Sequence, residues 1–262
     1  MRVTSKLKTL GLALAVIAGA DLSRAEQEVG HREETRLQTL AASEQDFLVG
    51  VAAHRRGDLA AAERAYSSAL ERDESFVEAM VNRARVLIEL GDWEGAAAWL
   101  DPAAARHGDL ASVHAVLGLL ALRTGHTAQA VDELTRAQTL APDDVEVLTN
   151  LGAAFLEQGL LQRATEQLEK AQRLDPDRAE VAFNLGLAGD RSGDRARAVY
   201  HYRRFMDLAA SADPSRPAVL RRLSELLGEA GTKPVELADG LATEGALHGS
   251  PFKENPHEVQ EK

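Results

Sequence analysis

The chain has 262 residues, 45% of them apolar but only 4% aromatic, and a formal net charge of −11. That balance suits closely packed alanine- and leucine-rich helices rather than a thick aromatic core. Cysteine is absent, which excludes disulfides, thiolate zinc sites, thiol catalysis and a lipid-bearing cysteine anchor; the acidic balance argues against nucleic acid and anionic lipid, which need a basic surface.

Residues 1–25 predict an export signal. Arg2, Lys6 and Lys8 precede the apolar run Leu10 to Ala20, and Ser23 and Ala25 supply small residues before a cut. The chain would then begin at Glu26, in the periplasm or outside the cell, with a net charge of about −14. The alternative is an uncleaved anchor, through which, or through a partner, any membrane contact would run. Eleven apolar residues rise only about 16 Å as helix, short of the ~30 Å hydrocarbon slab.

Residues 26–42 are charged and predict a short helix covering the first repeat. From Ser43 to Ala212 a 34-residue register takes over. Gly57, Gly91, Gly125, Gly159 and Gly193 share one position, and Ala62, Ala96, Ala130, Ala164 and Ala198 stand five places later. The eighth position of each unit is small (Gly50, Ala84, Gly118, Gly152, Gly186) and the twenty-fourth is large (Tyr66, Leu100, Leu134, Leu168, Tyr202). Such a period marks stacked units that bury their apolar faces against neighbours, with small residues admitting large ones at helix contacts. The glycines end one helix of each pair, and Asp58, Asp92 and Asp194 are placed to cap the next. Pro142 and Pro176 mark turns between units, and Pro102 predicts a kinked or split helix in the second unit. Residues 213–230 predict a capping helix, with Val219, Leu220, Leu223, Leu226 and Leu227 inward and Arg221, Arg222, Glu225 and Glu229 outward. Residues 231–262 lack periodicity, contain three prolines and read as a disordered acidic tail.

This register resembles the tetratricopeptide repeat family. Leu117, Gly118, Ala130, Leu134, Ala137 and Pro142 of the third unit, and Leu151, Gly152, Phe155, Ala164, Leu168, Ala171 and Pro176 of the fourth, match its pattern best. The first, second and fifth units depart from it at Glu74, Gly108 and Ala210, where the others carry proline. The resemblance implies an all-α, right-handed solenoid of about five antiparallel helix pairs with a C-terminal capping helix, and a concave groove lined by the first helix of each pair. It also implies a protein or peptide partner and no enzymatic activity.

No catalytic constellation, metal set or cofactor motif stands beside the repeat, and no small-molecule substrate is implied. His54, His114 and His201 lie in different repeats without ligand partners at helical spacing, and the adjacent acidic pairs point in different directions. By the resemblance, the peptide-binding groove comprises Phe47, Val51, Val81, Asn82, Arg85, Leu119, Asn150, Phe183, Asn184 and Leu187. It reads as largely apolar, with an asparagine ladder at the sixth position interrupted by Val116. The family's carboxylate clamp is argued against, because Glu146 and Glu180 stand where a lysine is needed. Two functions are compatible with this pattern: an exported scaffold holding a partner segment in the groove, or an architectural subunit of an envelope assembly using its convex face or edges.

Overall fold

The computed structural model of the protein describes residues 31–228, and the expected signal segment and tail lie outside them. Every regular element among the described residues is helical: α1 (31–55), α2 (Leu59–Arg72), α3 (Val77–Leu90), α4 (Trp93–His107), α5 (Ala111–Arg123), α6 (Thr127–Leu140), α7 (Val145–Glu157), α8 (Leu161–Leu174), α9 (Ala179–Arg191), α10 (Arg195–Leu208) and α11 (Arg216–Gly228). This is an all-α solenoid of helix pairs. The chain divides after Arg83 into two compact units.

In the first unit α1 runs unbroken through the expected boundary at residue 42. A separate short helix is therefore not formed, because nothing between Thr39 and Asp46 breaks a helix. Ser43 marks the change instead: residues 31–38 are exposed, whereas Ser43 is buried and donates its hydroxyl to the Ala69 carbonyl at 2.8 Å. That bond pins α1 to α2.

In the second unit each helix packs on the next from α4 to α11, and α5, α7 and α9 also touch one another along the stack. The second helices α6, α8 and α10 make no such mutual contact, so the first-helix layer is the tighter, inner one. The register explains the pairing. A Cβ built on Gly152 would lie 2.6 Å from Leu168 Cγ, and one on Gly186 would run into the Tyr202 ring. Eighth and twenty-fourth positions are thus in direct contact, as their alternation of size predicts.

Turns obey the same logic. The second residue beyond α7 needs a left-handed backbone, which Gly159 supplies at φ 71°, and the next amide, that of Leu160, donates back to the Phe155 carbonyl at 2.9 Å. Asp58, Asp92, Asp144 and Asp194 accept amide hydrogen bonds in the first turns of their helices.

Two local expectations are corrected. Pro102 lies inside α4, which runs from Trp93 to His107 and is not split there. On α11, Val219, Leu223 and Leu226 are buried as expected, but Leu220 is 38% exposed. Arg222 does not face outward either, since Nε and Nη2 hold the Asp190 carboxylate at 2.8 and 2.7 Å. This two-point bond locks the cap to α9, and a planar guanidinium is the group that can make it.

His114 is buried, with Nδ1 2.6 Å from Glu133 and Nε2 2.9 Å from the Gly108 carbonyl, which ties α5 to α6 and to the end of α4. His201 on α10 is equally buried. Burial, with Arg197 and then Arg204 nearby, lowers its pKa from 6.5. Because the folded value is the lower one, the unfolded chain binds the proton first on acidification, so stability is retained above pH 6.5 and lost as pH falls below it. The melting temperature should therefore drop between neutral and mildly acidic pH. A His201→Phe variant should lose part of that slope, as read by circular dichroism melts.

Candidate functional site

The inner layer presents a chemical order set by helix geometry. Positions three and four residues apart share a face, which places the second, sixth, ninth and thirteenth positions of the first helices together, with the sixth buried at Val116; the fifth, at the edge of that face, is buried in the three central repeats. The fifth-position residues fill the core: Val81 is only 4% exposed, and Ala115 and Thr149 are also buried. Phe47 is half-buried, with its ring 5.7 Å from Tyr66 and 5.0 Å from Phe76. Phe183 likewise packs against Tyr202 and, edge-on, Phe205 at 5.5 Å. These aromatic residues hold helix pairs together and offer only part of their surface to a partner.

Within the first unit, Val51 is half-buried, and Asn82 spends its amide on the Glu78 carbonyl at 2.8 Å, one turn back in its own helix. Val81 is closed to a ligand, and one N–H of the Asn82 amide is already engaged. Within the second unit the arrangement differs. Asn150 on α7 and Asn184 on α9 occupy equivalent positions on touching helices, are half-buried and make no hydrogen bond to any described residue. Leu119 and Leu187 are half-buried beside them in register, separated by the small Ala153. Val116 is fully buried, so the amide ladder has two available rungs.

The surface is more polar than the sequence suggests. Arg85 of α3 forms a half-buried ion pair with Glu146 of α7, bridging the first helices on either side of α5. The thirteenth positions carry Glu89, Arg123, Glu157 and Arg191 with alternating sign. One neighbouring couple in that row is paired: Arg191 Nη2 lies 3.3 Å from Glu157, and Nη1 donates to the Leu156 carbonyl. The largely apolar groove expected is thus a surface of two amides and two leucines bordered by charged residues. Sequence reasoning missed the Arg85–Glu146 bridge, whose partners are 61 residues apart.

No group of three or more metal-ligating side chains occurs among the described residues, and no helix there is long and apolar enough to cross a membrane.

Antiparallel helix pairs in a fixed 34-residue register, stacked with their first helices innermost, define a helical repeat protein. Two tetratricopeptide repeat family models match, over residues 53–120 and 116–176. A thermophilic repeat protein of this kind from Thermus thermophilus is similar in structure, with a TM-score of 0.61, 21% identity and coverage of 71% of this chain and 99% of that one. The pilF protein of Pseudomonas aeruginosa is similar with a TM-score of 0.60, 22% identity and coverage of 74% and 88%. MamA of Desulfovibrio magneticus is similar with a TM-score of 0.51, 23% identity and coverage of 66% and 97%. Residues 53–176 of the chain are tetratricopeptide repeats, and the fold is the all-α solenoid that such repeats build. No curated protein matches it.

Proposed function

We propose that this chain is a non-enzymatic scaffold that holds an extended segment of a partner protein on the inner faces of α7 and α9. The observation that carries the reading is the pair Asn150 and Asn184, half-buried, in register and without a hydrogen-bond partner among the described residues. A carboxamide both donates and accepts, so it matches a peptide group whatever side chain that residue bears. Two amides one repeat apart grip backbone, and Leu119 and Leu187 add apolar contact between and beside them. Each hydrogen bond contributes about 1 kcal/mol net. The double substitution Asn150→Ala with Asn184→Ala should therefore weaken capture of the native partner roughly tenfold or more, with the helical spectrum intact. Unchanged capture would remove the basis of the reading.

The architectural alternative has one observation in its favour. Leu37 and Leu40 on α1, ahead of the first repeat, are 58% and 40% exposed, apolar side chains that the repeat itself does not use.

We propose further that the protein works outside the cytoplasm, on the strength of the basic start, apolar run and small residues of 1–25. N-terminal sequencing of the protein purified from the cell envelope should begin at Glu26. An intact Met1 in the membrane pellet would favour the anchor, and recovery from the cytosol would refute export. Nucleic acid and small-molecule substrates have no place in this reading.

A further inference from the structure

The second repeat departs from the others at three positions that its own fold does not require. Trp93 is at the seventeenth position, Glu94 at the eighteenth and Asp101 at the twenty-fifth, and no other repeat combines an aromatic residue with carboxylates there. In the structure all three face the same cleft. They line one side of a cleft of about 250 Å³ between α4 and the start of the next pair, and Leu117, Leu120 and Ala121 form its apolar part. These leucines stand at the seventh and tenth positions of α5, away from the inner face that carries Leu119. The cleft is therefore separate from the groove.

Its contents select an occupant. A cleft this size is smaller than the ~300–1,000 Å³ typical of sites for whole small molecules, and suits one side chain. The apolar part accepts a hydrocarbon stem. Trp93 is half-buried and offers an indole to its surroundings, while Glu94 and Asp101, both exposed, make no ion pair with a described residue. No basic side chain lines the cleft to neutralise them. An aliphatic stem ending in a cation, beside an indole and two carboxylates, satisfies all of these at once. The planar guanidinium fits best, because it stacks on the ring while its edges reach carboxylates.

We propose that this cleft is a docking site for a single arginine side chain of a partner polypeptide, with the stem over Leu117 and Leu120, the guanidinium against Trp93, and Glu94 and Asp101 as counter-charges.

The test uses the full chain carrying Trp99→Phe, so that Trp93 is the only tryptophan. Its fluorescence is titrated with Nα-acetyl-arginine methylamide and, in parallel, with the uncharged citrulline analogue. The arginine probe should give a saturable change that falls at least about tenfold in affinity in a Glu94→Gln, Asp101→Asn variant and weakens in about 0.5 M salt. The citrulline probe should give none. Should Trp99→Phe fail to fold, the wild-type chain is titrated by nuclear magnetic resonance, where one of its two indole N–H signals should move and the other stay. An absent or unsaturable response, an equal response to citrulline, or an undiminished response in the double variant would overturn the proposal.

Discussion

Replacing Gly189 with valine is expected to destabilise the protein by about 3 kcal/mol or more, at the upper end of overpacking effects. A Cβ at this position would lie 2.7 Å from the backbone nitrogen of Ala198 and 3.1 Å from its Cα. A side chain can turn aside, but a helix backbone cannot, so α9 and α10 must separate. The separation would spread, because the cap on α9 is held by Arg222 through Asp190, the residue beside Gly189. Gly152→Ala provides the comparison. There the intruding methyl meets Leu168, a side chain that can shift, and the second repeat already accommodates Ala84 opposite Leu100 at the same two positions with both fully buried. Thermal and urea unfolding of the two variants should rank Gly189→Val well below Gly152→Ala. Equal stabilities would mean that α9 and α10 do not approach as described.

The second large effect is expected from Phe155→Ala, about 3–5 kcal/mol. Phe155 is 1% exposed, within the core cluster that joins the third, fourth and fifth repeats. Its ring also lies beneath the guanidinium of Arg163, 4.1 Å from the centroid. Truncation removes apolar contact on both sides and leaves a cavity that two repeats share. Tyr200→Ala serves as the control, because that ring is 60% exposed and surface changes of this kind stay within about 0.5 kcal/mol. A comparable loss in both variants would contradict the core assignment.

What the sequence made legible is what recurs. Gly159 and its four counterparts needed only a period and the knowledge that glycine tolerates positive φ, and Gly152 could be paired with Leu168 because the same sizes alternate in every unit. Capping by Asp58, Asp92 and Asp194 was readable from their place after those glycines. Features belonging to a single repeat were hidden. Gly189 occupies a position that holds Ala53, Leu87, Ala121 and Phe155 elsewhere, so nothing in the pattern announced a close backbone approach. The groove suffered similarly. Family positions identified Asn82, Asn150 and Asn184 as equivalents, but only coordinates show that Asn82 turns back to Glu78 whereas the other two do not. Val81 was read as inner surface because periodicity gives a direction and not a depth. Arg85 and Glu146 are brought together by stacking across an intervening helix pair, a relation that no local spacing encodes.

The central claim is that a partner lies along the inner faces of α7 and α9. Site-specific photocrosslinking tests it most directly, with a photoreactive residue placed in turn at Asn184 and at Glu166, an exposed position on α8. After irradiation in intact cells, a discrete adduct with one partner should form from position 184, survive washing, and be absent from position 166. An adduct formed only from position 166 would place recognition on the outer helices and contradict the account.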